Sequence, residues 1–166
     1  MNINNNAQTS NFKVYISFLG DKVIYANGVN LPGFTLTNID SFPGSGKKHY
    51  VGGDSIQYSD VNVTFLLDEN FVLYKEFVKY FNTKVHNNNG CLNDEEFEAA
   101  IEITDNLGKS LIAFEMHNCR VMNFSDLDLT MTNDDQEITF TLSFQFDWYE
   151  LVDYLNPSKI FKLKNI

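Results

Sequence analysis

From Glu137 to Glu150 the chain reads EITFTLSFQFDWYE. Ile138, Phe140, Leu142, Phe144, Phe146 and Trp148 take every second position, and Thr139, Thr141, Ser143, Gln145, Asp147 and Tyr149 fill the places between. Successive side chains of a strand point to opposite faces, so the run predicts one long strand with an apolar core face and a polar face. Burial contributes roughly 1.5–3 kcal/mol for each large apolar side chain. A one-residue slip would turn the whole apolar row into water, which fixes the register. The polar row, Thr139, Thr141, Ser143, Gln145 and Asp147, must meet water, either bulk solvent or a water-filled channel.

The same alternation recurs upstream. Phe12, Val14, Ile16 and Phe18 share a face, Gly20-Asp21 suits a tight turn, and Lys22–Ala26 is the expected returning strand. Leu31-Pro32-Gly33 ends it and Phe34–Ile39 is a further extended piece. Ser41–Asp54, SFPGSGKKHYVGGD, has no period and reads as a long exposed loop or flexible hairpin. Val61, Val63 and Phe65 then alternate with Asp60, Asn62 and Thr64. Beyond them the period changes. With Asp68 or Asn70 as cap, residues 70–81 predict a helix, with Phe71, Tyr74, Val78 and Phe81 along one stripe. His86-Asn-Asn-Asn-Gly90 is a stop. Glu98–Thr104, Ser110–Met116, His117–Phe124 and a short Leu129–Thr132 are further strands, and Asn133-Asp134-Asp135 is a turn before the long strand. Short connections favour antiparallel pairing. The predicted fold is mainly β: an antiparallel β-sandwich or barrel with a single packed helix. Its domain spans 11–150, between a loose tail at 1–10 and an extension at 151–166.

The chain has 166 residues and a formal net charge of −10. That balance opposes tight nucleic-acid binding, which depends on Lys and Arg neutralising phosphates. The acidic turns (Asp94, Glu95, Glu96, Asp134, Asp135) fit a solubilising surface and a lumen lining equally well. Cys91 and Cys119 are too few for a disulfide scaffold and read as free thiols in a reducing compartment. Met1–Asn11 lacks the basic and apolar segments of a signal peptide, and no apolar run reaches membrane-spanning length. The expectation is a protein kept in a cytoplasm, or built there into a particle, with no membrane contact.

Catalytic motifs are wanting. PGSGKKH lacks the first Gly of a phosphate loop and the Ser or Thr after its Lys. His117 and Cys119, two apart on a predicted strand, would share a face, but two ligands do not make a metal site. There is no G-x-S-x-G elbow and no Cys/His frame, and the carboxylates are scattered. No enzyme activity and no cofactor are expected.

FKVYISFLGDKVIYANGVNLPG, the loop ending in GGD, VNVTFLLDEN with NFVLYKEFVKYF, IEITDNLGKSLIAFEMHNCRVMNFSDLDLT and EITFTLSFQFDWYE follow one another from about Phe12 to Glu150. In this order and spacing they resemble the tail tube proteins of contractile-tailed bacteriophages. The resemblance implies a β-barrel-like subunit with one helix, assembled as stacked homo-hexameric rings in a phage tail built in the host cytoplasm. DNA and the tape measure protein would pass through the channel, with sheath and baseplate proteins as partners. It implies an inter-subunit or inter-ring role for the loop (Ser41, Pro43, Gly44, Lys47, Lys48, His49, Tyr50, Asp54). Thr139, Thr141, Ser143, Gln145 and Asp147 would line the lumen, where a neutral-to-acidic surface lets a polyanion slide. Lys47 and Lys48 have Asp134-Asp135 as a candidate partner. Family members often finish near the last strand, so Leu151–Ile166 departs from the pattern. That leaves open a tube initiator, or a baseplate or neck ring protein, of the same fold. A type VI secretion tube protein and a monomeric ligand-binding β-barrel also remain.

Overall fold

The structure, a computed structural model, describes residues 10–20, 26–41, 49–87, 96–127, 137–156 and 160–163, with the backbone alone at 38–41, 49–54, 85–87 and 160–163. In chain order the elements are β1 (Phe12–Ile16), a 3-10 turn (Ser17–Leu19), β2 (Ala26–Val29), β3 (Phe34–Ser41), β4 (His49–Tyr58), β5 (Val61–Leu66) and α1 (Val72–Asn87). Then come β6 (Phe97–Thr104), β7 (Ser110–Phe124), β8 (Thr139–Gln145), β9 (Trp148–Asp153) and β10 (Ile160–Leu163). The described strand pairs are all antiparallel. The main sheet runs β1-β6-β7-β8-β5-β2 and does not close on itself. β9 also lies on β7 and carries β10, while β3 and β4 form a separate two-stranded arm.

The core is an aromatic layer between this sheet and α1. Phe65, Phe77, Phe140 and Phe144 are fully buried, together with Val61, Val63, Leu142, Met116 and Cys119. Phe77 of α1 meets Phe65 and Phe140 with ring centroids 5.6 and 5.5 Å away, and Phe18 stacks on Tyr80 at 4.2 Å. Such pairs add to the burial of their apolar area. Asp68 caps the helix, its Oδ1 accepting the Val72 N–H at 2.9 Å. The buried stripe is Leu73 and Phe77 with Tyr80 beside them, whereas Val78, expected on the apolar stripe, is about half exposed. The helix also runs through Asn87, past the expected end at Phe81.

Of the returning strand expected at Lys22–Ala26, only Ala26 lies among the described residues; it opens β2, which pairs with β5, while β1 pairs with β6. Ser17–Leu19 turns the chain away, with Gly20 at φ 62°. Ser110–Met116 and His117–Phe124 are one strand. Of the expected loop or flexible hairpin at 41–54, the described residues Ser41 and 49–54 belong to the two strands of a hairpin, with Ser41 opposite His49 and Asp40 opposite Tyr50, and 42–48 lie outside the described residues. Leu129–Thr132 and the turn at 133–135 lie outside the described residues.

The long two-faced strand is also corrected. From Phe144 onward it keeps one register along β7, with Val121 opposite Phe144 and Met116 opposite Tyr149, but it is interrupted at Phe146-Asp147. Across the interruption both strands change parity together: Met116 and Cys119 are buried on one side, Phe146 and Tyr149 on the other. On β7 the step is a bulge that sets His117 and Asn118 against Glu98, with Asn118 in the left-handed region at φ 54°. Asn118 Nδ2 donates to Asp147 Oδ2 at 3.1 Å, and the Asp147 N–H to the His117 carbonyl at 3.1 Å, so the two kinks are held to each other. Trp148, expected on the core face, therefore swings outward and stacks on His117 at 3.9 Å, while Tyr149 turns into the core.

Candidate functional site: a polar ladder and an exposed arm

Two surfaces have a chemistry beyond packing. The first is the solvent face of β5 and β8. Their alternation is in phase, so Phe65 lies opposite Phe140 on the core side and Thr64 opposite Thr141 on the other. Thr64 and Thr141 hydroxyls are 3.1 Å apart, and Ser143 donates to Asn62. Gln145 Nε2 donates to Asp60 Oδ1 at 2.8 Å. Asn30, just beyond β2, extends the ladder by donating from Nδ2 to the Asp60 carbonyl at 2.9 Å and accepting the Asn62 N–H. Ser125 Oγ accepts the Thr141 N–H at 2.8 Å. Cross-strand hydroxyl and amide pairs of this kind hold side chains in a fixed layer. Asp60 is the only charged group among these ladder residues. The face therefore offers water and passing solutes a smooth, hydrogen-bonded and weakly acidic surface.

Of the residues read from the sequence as a polar row, Thr141, Ser143 and Gln145 sit in this ladder, and Thr139 is exposed at its end. Asp147 does not continue it. Arg120 Nη1 lies 3.1 Å from Asp147 Oδ1, and Arg120 Nη2 lies 2.6 Å from Glu96 Oε1, so one guanidinium clasps both carboxylates at the kink. The paired carboxylates raise the Arg120 pKa, the Glu96 hydrogen bond most of all. Of the apolar row, Phe140, Leu142, Phe144 and Phe146 are buried, while Ile138 and Trp148 are half-buried. Asp60, Asn62 and Thr64 complete the ladder; their alternation in the sequence carried the signal, but nothing in it placed β5 beside β8.

The second surface is the arm. β3 and β4 pair only with each other among the described residues. Phe34 lies opposite Tyr58 and Leu36 opposite Ile56, so these four share a face. Tyr58, at the base, packs 5.0 Å from Phe146 and 5.7 Å from Tyr149, and burial raises its pKa. Phe34 and Leu36 remain 59% and 57% exposed. Thr37 and Ser55 hydroxyls pair across the arm at 2.9 Å. Of the expected contact loop, Ser41, His49, Tyr50 and Asp54 are strand residues, and Pro43, Gly44, Lys47 and Lys48 lie outside the described residues, as do Asp134 and Asp135.

No group of His, Cys, Asp and Glu among the described residues can hold a metal ion. His117 and Cys119, expected on one face, are turned to opposite sides by the bulge: His117 Nδ1 meets Glu98 Oε2 at 2.5 Å, and Cys119 is in the core. Burial pushes the Cys119 thiol up to about 12. No described helix is long and apolar enough to cross a membrane.

No protein-family model matches the sequence, and no curated protein matches it. The fold does have counterparts. A chain in the cryo-EM structure of the anti-feeding prophage (AFP) baseplate superposes with a TM-score of 0.69 at 10% identity, covering 91% of this chain and 98% of that one. A chain in the PVC extracellular contractile injection system sheath-tube complex, in the extended state, gives 0.69 at 16% identity, covering 91% and 94%. The crystal structure of an Hcp protein gives 0.52 at 12% identity, covering 85% and 77%. This chain has the tail-tube fold. Relative to the sheet of that fold, the polar ladder lies on one face and the helix on the other, and the arm is a separate two-stranded sheet.

Proposed function

We propose that this chain is a non-enzymatic tube subunit of a contractile injection machine, built as stacked homo-hexameric rings around a channel. The observation that supports it most is the combination in one sheet of two end strands uncovered by any described residue with a weakly acidic, hydrogen-bonded solvent face. β1 pairs only with β6 and β2 only with β5 among the described residues. Free strand edges are templates for pairing, and head-to-tail contacts around a ring consume them. The ladder then lines the lumen, where an uncharged-to-acidic wall lets DNA and a tape measure protein pass without sticking. The arm, with Phe34 and Leu36 in water, reaches a neighbouring subunit or ring. On this reading the particle is a phage tail, assembled in the host cytoplasm, with sheath and baseplate as its outer partners.

A second reading keeps the fold and changes the station: a ring at the baseplate or neck that starts or ends the tube. The likeness to a chain of a baseplate structure favours it as much as the likeness to a sheath-tube chain favours the first. Size-exclusion chromatography with light scattering, followed by negative-stain microscopy of the purified protein, tests both. Tubes of stacked six-fold rings are expected for a tube subunit and discrete rings for an initiator or terminator. A monomer at high concentration would contradict both.

A further inference from the structure

Among the described residues the two ends of the main sheet carry no further strand, but the outer edge of β9 does. That edge is taken by β10, with Ile160 opposite Val152, Phe161 opposite Leu151, Lys162 opposite Glu150 and Leu163 opposite Tyr149. β9 reads WYELVD, an apolar and aromatic strand long enough to template pairing with another copy. β10 has only four residues, IFKL, and the sequence around it, SKIFKLK, carries a lysine at every second or third position. Short length and lysines are the devices by which sheet proteins blunt an edge. The register adds a second reason for cationic residues here. Glu115 of β7 and Glu150 of β9 are directly opposite, and Glu150 is 9% exposed. Like charges facing each other across a ladder destabilise it. The next position in that row belongs to Lys162.

From this juxtaposition we propose that the C-terminal strand is a built-in edge guard. It occupies the β9 edge in cis, replaces an adhesive edge with a short cationic one, and so restricts edge-to-edge association of copies to the two bare ends, β1 and β2. The site on β9 is thus a strand-accepting groove for an extended segment that alternates apolar and basic residues, and its occupant is residues 160–163 of the same chain. This goes beyond the tube reading and does not depend on it, because the guard acts on the isolated subunit.

Two variants test it: a chain ended after Asn156, and the full-length double substitution F161P/K162P. Consecutive N–H groups of a strand point to opposite sides, so the double proline removes a donor facing β9 whichever residue supplies it. The readout is hydrogen exchange at residues 148–153 in dilute protein, with light scattering over a concentration series. Both changes are expected to speed exchange of the outward β9 amides at least tenfold while leaving those of β5 and β8 unchanged, and to add association into irregular species. A peptide of residues 157–166 added to the shortened chain is expected to restore slow exchange and suppress that association, whereas a peptide with all three lysines replaced by glutamate is not. Unchanged β9 exchange, unchanged association, or equal rescue by the acidic peptide would overturn the proposal. Because exchange is read on dilute subunits, failure to form tubes leaves this test intact.

Discussion

The β5–β8 pair and the β3–β4 arm are both antiparallel and both carry aromatic residues, yet they end in opposite states. In the first, the core-facing apolar side chains are packed: Phe65 and Phe140 stack at 5.1 Å, and Phe77 from α1 closes over both. Its other face satisfies its own polar groups in the ladder. In the second, Phe34 and Leu36 are left 59% and 57% exposed on a hairpin whose strands pair only with each other among the described residues. An isolated two-stranded hairpin is of marginal stability in water, because it cannot bury enough area to offset its ordering entropy. The first region is complete within one chain. The arm leaves apolar side chains exposed, and the proposed assembly would supply the surface that covers them.

The sharpest way to break the complete region is Phe144→Asp. It places an unpaired charge in a fully buried position, so folding is expected to be lost. A soluble variant with native circular dichroism would contradict the packing described. Phe77→Ala removes the ring that joins helix to sheet and should cost about 3–5 kcal/mol in urea unfolding. A milder probe is pH. The Cys119 thiol is raised from its usual 9.0 to about 12, chiefly by burial and secondarily by Glu98. Between those values the unfolded chain has lost a proton that the folded chain keeps, so stability should fall as pH rises through this window. Cys119→Ala should flatten that part of the profile, and an unchanged slope would deny the buried thiol its part. Asp68→Ala removes the helix cap and is expected to cost ~1 kcal/mol. Smallest in stability is Phe34→Ser with Leu36→Ser. Since both side chains are already in water, the isolated subunit should change by about 0.5 kcal/mol or less, while ring stacking seen by microscopy should be lost. A large loss of subunit stability would show that the arm is already packed in cis.

The contrast also marks what could be read from the sequence. The rows of β5 and β8 announce themselves because one face is buried and the other is not, and period-two alternation records that difference directly. Phe140, Leu142 and Phe144 are buried as that row implies, and Thr141, Ser143 and Gln145 lie on the opposite face. Trp148 and Tyr149 were illegible, because the alternation runs unbroken through Phe146-Asp147 while the backbone does not. The parity reverses through a bulge at Asn118, a residue distant in sequence that shows itself only once β7 is laid beside its partner. The arm is half-legible: Pro and Gly residues suggest a loop or flexible hairpin, but the register that sets Asp40 opposite Tyr50 is non-periodic in sequence. Val78 was misplaced because the helix is apolar around much of its circumference, and the sheet chose Leu73 and Phe77 instead. The Arg120 clasp on Glu96 and Asp147 joins three segments distant in sequence, which no local pattern encodes.

Hydrogen exchange followed by mass spectrometry, on dilute subunits and on assembled material from the same preparation, tests the central claim most directly. The account predicts slow exchange for the β5 and β8 amides in both states, and for the β3–β4 arm fast exchange when dilute and slow exchange when assembled. An arm equally protected in the dilute subunit, or still unprotected after assembly, would contradict it.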